Sequence, residues 1–487
     1  MLDVRNGQGG PTVPAPVKPR LRRAALRPHG TASRGSHRHW SSARTLTLAA
    51  CGAAIGFNNF WQFPAVVVKY GGGAFLIVYA LCVVVIGLPL LAAELLLGQR
   101  GQASPIGTFR YLASEAHASR AWSLVGWASV VSGFLIFSYL SVVAGWTLAY
   151  LVRAILGVFA GQTADGINSI FNALVSDPEK QLFWHTLFVL TTLIVAARGV
   201  RSGIEPMVRI AVPVMAGLLG ILLVYSATTD AFPRAIEQLL MPDFARLGVN
   251  GLLAALGHAF FSLSLGVGVM MMYGAYAQGE VKIVPVALWV AVVDTAVGVV
   301  AAIVVLSVLY SGSIDIASGP ALIFQALPLA FDQAPFGQGF VSLFFALLAV
   351  VAWLAAIALI EPALAWLTER FVITRIRAVF VVGGAAWVVG LVMMLSLNYW
   401  SFSFRFLGEV KKLGLFDVAQ ILTAQVLLPL CGVFVAVFAG WRLKPEVTRA
   451  ALNMRSPCAY DAWLWLVRVA IPLLLLVLFF HITELFA

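Results

Sequence analysis

The chain is 487 residues long, 61% apolar and only 11% charged, with a mean hydropathy of +0.93. Water-soluble domains average roughly 45–50% apolar and 25% charged residues, so a soluble globular protein is excluded and a polytopic membrane protein is indicated. The net charge of +11 does not point to nucleic acid, because residues 1–44 alone hold nine Lys/Arg against the single acid Asp3. That stretch is rich in Pro, Gly and Ser and reads as a disordered basic tail, 1–40, suited to anionic lipid. It lacks the apolar core and cleavage site of a signal peptide. Cys51, Cys82 and Cys431 lie in apolar runs and Cys458 in a loop, which is neither a disulfide framework nor a metal-ligand spacing.

Apolar runs long enough to cross a bilayer predict eleven spans, near 45–70, 74–98, 121–155, 182–197, 206–227, 249–277, 283–310, 340–368, 378–397, 416–441 and 461–483. With the N-terminus inside, the cytoplasmic tail and loops hold 23 Lys/Arg, against eight in the outer loops and span ends. The positive-inside rule therefore predicts a cytoplasmic N-terminus and an outer C-terminus. Arg468 falls within the last span.

Two spans are poor continuous helices. In the first, Gly56 precedes the amide pair Asn58-Asn59, and Pro64 removes a backbone donor soon after. In the sixth, Gly266 and Gly268 follow Ser262 and Ser264. Unpaired backbone groups cost several kcal/mol each in hydrocarbon, so such breaks belong where they are buried in protein or line a wet cavity. A Gly/Pro-kinked packing helix is the plain alternative. Two breaks five spans apart, in spans that start from opposite sides, instead predict an inverted five-plus-five repeat with its site at the breaks.

The residues around these breaks carry a family resemblance. Gly56, Asn59, Phe63-Pro64, Gly71-Gly72-Gly73 and Tyr79 are followed by Pro89, Glu94 and Gly98-Gln99, then by Val143-Ala144-Gly145-Trp146-Thr147. Phe260-Phe261-Ser262-Leu263-Ser264-Leu265-Gly266, Ser318-Gly319-Pro320 and Leu427-Leu428-Pro429-Leu430 complete the pattern. From about Trp40 to the end of the tenth span the chain resembles the neurotransmitter:sodium symporter family, whose bacterial leucine transporter names the fold. The resemblance implies an all-α membrane protein of that fold. It divides the chain into the tail, a first repeat at 41–227, a second at 228–441, and a cytoplasmic loop with an eleventh helix at 442–487.

It also implies site residues. A substrate ammonium would meet Ala54, Phe261, Ser262 and Ser264, where half-helix C-terminal carbonyls suit a cation. Gly56, Asn58, Tyr139, Leu140 and Gly266 would line the rest of the substrate space. A first sodium site would use Ala54, Asn59 and Ser262, all hard oxygen donors. Asp294 stands where the family has an asparagine, and would offset a bound cation or carry a proton. Gln62 and Gln420 replace the Arg–Asp outer gate, and a hydrogen bond between them would close the same gap without buried charge. His37, Arg38, Trp40, Tyr276 and Glu369 would form the inner gate, while Glu94 would pair or cap locally. His258 replaces a glutamine, as a packing residue or a proton carrier.

The departures share a direction. Of a second sodium site, Gly52, Ile55 and Val351 keep only carbonyls, and the two hydroxyl positions are Leu354 and Ala355. The tyrosine that meets an amino-acid carboxylate appears as Leu140, beside Tyr139. No acid stands at Gly56, where monoamine transporters place one. The expectation is therefore a symporter of an amino acid or related amine-bearing solute, driven by one sodium ion through alternating access in a bacterial inner membrane. Proton coupling, a carboxylate-free amine and a non-transporting sensor stay open as rivals, as do a chloride requirement and a monomer or homodimer. No nucleophile–base set or metal cluster lies in the spans, so an enzyme is not expected.

Overall fold

A computed structural model describes residues 39–277, 281–316, 319–400, 402–406, 409–454 and 456–483. His37, Arg38, Ser318 and the basic tail lie outside them. Among the described residues ten helices are long and apolar enough to cross a membrane, and the broken first span makes eleven.

The first span is two helices, Ala43–Ala54 and Gln62–Lys69, joined through Ile55, Gly56 and a single 3-10 turn, Phe57–Asn59. Ser42 caps its start by accepting from the Thr45 N–H. The unbroken spans are Gly73–Gly101, Arg120–Ile155, Pro178–Ala197 and Val200–Ala227, then Ile283–Ser311, Gly337–Phe371, Arg375–Ser396, Leu415–Arg442 and Pro457–Thr483. The sixth, expected as one run over 249–277, is Phe244–Ser262 followed by Val269–Ala275, with six residues of irregular backbone between. Ser264, Gly266 and Gly268 all adopt positive φ there, at 53°, 81° and 80°. Gly266 is also pressed by a neighbour, since a Cβ would stand 2.7 Å from the Leu428 carbonyl oxygen. Only glycine meets both demands.

The long third and eighth spans pack along each other and form the scaffold with the fourth and ninth; the two broken spans lie against the second, seventh and eighth. Met270, Met271 and Met272 are wholly buried packing residues. A short helix over Leu322–Asp332 lies between the seventh and eighth spans. Phe402–Phe406 and Glu409–Leu413 depart from the helical pattern and pair as an antiparallel hairpin between the ninth and tenth spans.

Candidate substrate and cation site

The two breaks meet each other. Ser264 Oγ donates to the Ala53 carbonyl at 3.0 Å, and Asn59 Oδ1 accepts from the Gly56 N–H at 3.1 Å. Because Gly56 turns its N–H to that side chain, the Gly52 carbonyl loses its ordinary helical donor. With the Ala54 carbonyl it belongs to the open helix end facing the break. A Cβ built on Gly56 would meet nothing within 4 Å, so open space lies beside this backbone.

Asp294 joins the breaks from the seventh span. It is fully buried, accepts from Asn59 Nδ2 at 3.1 Å through Oδ1, and accepts from Ser262 Oγ through Oδ2. One carboxylate thus touches the first and sixth spans together. With the Asn59 amide oxygen and the Ser262 hydroxyl, Asp294 makes a hard-oxygen, net-negative set, which fits sodium and not a soft transition metal. Among the described residues no group of three or more His, Cys, Asp or Glu is placed to hold a metal ion.

The second cation position has a different character. A Cβ on Gly52 would fall 2.9 Å from Val212 and 3.3 Å from Leu354. Leu354 is buried with Val351 and Ile55, and Ala355 beside it is half-buried. A leucine side chain lies where hydroxyl oxygens were expected to be missing.

Of the other expected substrate residues, Phe261 is half-buried and packs edge-on to Phe260 at 5.2 Å. The Asn58 side chain accepts from Trp61 Nε1 at 2.9 Å, so it is occupied locally. Tyr139 packs its ring on Phe416 of the tenth span at 5.7 Å, and Leu140 next to it is half-buried. Gln62 and Gln420 are both exposed, and the hydrogen bond expected between them is not formed in this conformation. His258 lies buried between Phe63 and Tyr79, with ring centroids at 4.9 and 5.5 Å.

At the opposite end the bundle is closed. Trp40 is buried, donating its backbone N–H to the Tyr276 carbonyl and its indole N–H to the Tyr273 carbonyl, both at 3.1 Å. The Tyr276 hydroxyl donates to Glu361 Oε1 at 2.6 Å. Glu361 is fully buried and held bidentately by Arg375, at 2.9 and 2.6 Å, while Arg375 Nε donates to the Ala196 carbonyl. Glu369 accepts from the N–H and hydroxyl of Ser104. Glu205 ties the entry of the first span to the fifth, accepting from the Ser41 N–H at 3.1 Å and from Arg209 at 2.5 Å. Glu94 does not cap locally: its Oε1 accepts from the Gly266 N–H at 2.7 Å, satisfying the backbone of the sixth-span break. The roles of Glu361, Arg375, Glu205 and Glu94 escaped the sequence reading, although a carboxylate inside an apolar span is itself a signal.

Eleven spans, two apposed helix breaks and a buried carboxylate bridging them are the marks of a secondary transporter of the inverted-repeat class. The model of the sodium:neurotransmitter symporter family matches residues 37–169 and 175–485. An uncharacterized sodium-dependent transporter of Bacillus subtilis is 30% identical over 448 residues, covering 91% of this chain and 97% of the relative. A second, from Haemophilus influenzae, is 27% identical and covers 90% and 97%. The crystal structure of MhsT in complex with L-phenylalanine superimposes with a TM-score of 0.81 at 33% identity, covering 91% of this chain and 99% of that one. The chain belongs to the sodium:neurotransmitter symporter family, and it has the leucine-transporter fold. It is an integral membrane protein of a sodium-dependent transporter family, not an enzyme.

Proposed function

We propose that this protein imports an amino acid, or a small solute bearing the same ammonium group, by symport with one sodium ion. The observation that carries the reading is Asp294 bonded to both Asn59 and Ser262. A fixed carboxylate at the junction of two broken helices gives a cation a favourable partner there. When the cation binds, it draws the first, sixth and seventh spans together; when it leaves, it loosens them. That is the differential contact alternating access requires.

Ala54, Phe261, Ser262 and Ser264 are the positions for the ammonium, and Gly56 supplies space beside them. The amino-acid assignment is supported by L-phenylalanine in the related MhsT. A carboxylate-free amine is the second reading, favoured by the neutral Gln62 and Gln420 and by Tyr139 facing Phe416. Leu354 against Gly52 supports a single ion. The site needs no chloride, because Asp294 already supplies the negative charge. The N-terminus is assigned to the cytoplasm of a bacterial inner membrane from the distribution of Lys/Arg.

Counterflow of amino acids and of their decarboxylated amines in proteoliposomes tests this. Exchange of an amino acid in sodium, and none in choline, is the expected result. Exchange of amines alone would overturn the cargo, and binding with no exchange would make the protein a sensor.

A further inference from the structure

Arg468 takes no part in the site above. It lies in the last apolar span, Pro457–Thr483. Two π-helical turns, Phe438–Arg442 of the tenth span and Leu466–Ala470 of the eleventh, pack on each other there. Gly440 makes the approach possible, since a Cβ on it would fall 2.9 Å from Arg468 Cγ and 3.3 Å from Arg468 Cα.

The contact is reciprocal. Arg468 Nε donates to the Gly440 carbonyl at 2.6 Å, Trp441 Nε1 donates to the Arg468 carbonyl at 3.1 Å, and the guanidinium lies over the Trp441 ring, 5.5 Å from its centroid. A guanidinium has five N–H donors; only one is used here. Among the described residues no Asp or Glu lies within ion-pair distance of it. The side chain is thus pinned along its length while its two terminal nitrogens stay available.

The place decides what would take them. Trp441 and Trp465 are 60% and 59% exposed, on the outer perimeter of the bundle. Exposed tryptophans are typical where a bilayer meets water. Gly440 and Trp441 are also the last turn of the tenth span, immediately before the basic segment that holds Arg442, Lys444 and Arg449. A cation at this boundary faces lipid headgroups, and among the described residues it has no protein carboxylate to pair with. A phosphodiester offers two oxygens in the geometry a guanidinium fork matches.

We infer that Arg468, set by Gly440 and Trp441, is the headgroup site of an anionic phospholipid clamped between the tenth and eleventh spans. Its acyl chains would lie on the apolar perimeter beside Trp465 and Leu473, which a soluble phosphate could not use.

Native mass spectrometry of the full-length protein in detergent tests the inference, with phosphatidylglycerol, phosphatidylcholine or inorganic phosphate added. The expected result is one phosphatidylglycerol retained at activation that strips phosphatidylcholine, no retained phosphate, loss of that lipid in Arg468→Gln, and weakened retention in Arg468→Lys, whose ammonium keeps the charge but not the bidentate fork. Retention by Arg468→Gln, or equal retention of phosphatidylcholine, overturns the inference; retained phosphate would show an ion site and not a lipid site. Should Arg468→Gln not fold, the wild-type protein decides with a photoactivatable phosphatidylglycerol. Labelling over 434–442 and 464–473, absent with the choline analogue, is expected, and labelling spread evenly over the perimeter contradicts the site.

Discussion

Asn59 Nδ2 donates to Asp294 Oδ1 at 3.1 Å, across 235 residues of sequence. The same amide side chain accepts the Gly56 N–H through its oxygen. Asn59 therefore reads the state of the first-span break on one side and the charge of the seventh span on the other. Replacing Asp294 by Asn keeps the shape and removes the charge. The sodium concentration that half-saturates substrate binding should rise by about tenfold or more, since a tenfold change corresponds to about 1.4 kcal/mol. Equilibrium binding of radiolabelled substrate in a sodium titration measures it.

Chloride replacement gives a second expectation. With Asp294 providing the negative charge beside the cation, exchange of chloride for gluconate should leave substrate binding and uptake within about twofold. A loss of uptake in gluconate would mean that Asp294 does not neutralise the bound cation.

The sixth-span break depends on Gly266 and Glu94. Gly266 has φ of 81° and abuts the Leu428 carbonyl, and its N–H is bonded to Glu94. Gly266→Ala should destabilise the protein by roughly 1–3 kcal/mol through backbone strain alone. Glu94→Ala would leave a buried N–H unpaired, at a cost of roughly 1–3 kcal/mol, whereas Glu94→Gln keeps an acceptor and should cost less. Thermal unfolding of the three variants in detergent ranks them.

The closed end rests on a buried charge pair. Glu361 is fully buried and its partners are Arg375 and Tyr276. Arg375→Gln leaves that carboxylate without its counter-ion, which typically costs roughly 3–5 kcal/mol. Tyr276→Phe removes one hydrogen bond and should act on gating more than on stability. Labelling of a cysteine placed at Ser264, in a background lacking the native cysteines, should then become faster from the Trp40 side.

The breaks were legible before any coordinates because their residues are costly anywhere else. Glycines and a proline inside apolar spans signal irregular backbone, and the family pattern then located the site. Asp294 was legible for the same reason. What could not be read was pairing at long range. Glu94 and Gly266 are 172 residues apart, and nothing local to either names the other. The Glu361–Arg375 pair was not singled out in the sequence, although an acid inside one apolar span and a base at the start of the next are the signal for it. The loss of hydroxyls at Leu354 and Ala355 was evident, but the packing of Leu354 against the Gly52 backbone needed three dimensions. The hairpin at Phe402–Phe406 and Glu409–Leu413 had a period-two cue in Phe402-Ser403-Phe404-Arg405-Phe406 that the search for long apolar runs passes over.

The most direct test of the account is equilibrium binding of L-phenylalanine and a panel of other amino acids to the purified protein across a sodium titration, with choline holding ionic strength. The account predicts saturable amino-acid binding that is absent in choline and rises with sodium with a Hill coefficient near one, as a single ion requires. Binding that is indifferent to sodium would contradict the central claim that the Asn59–Ser262–Asp294 junction is a sodium site coupled to substrate.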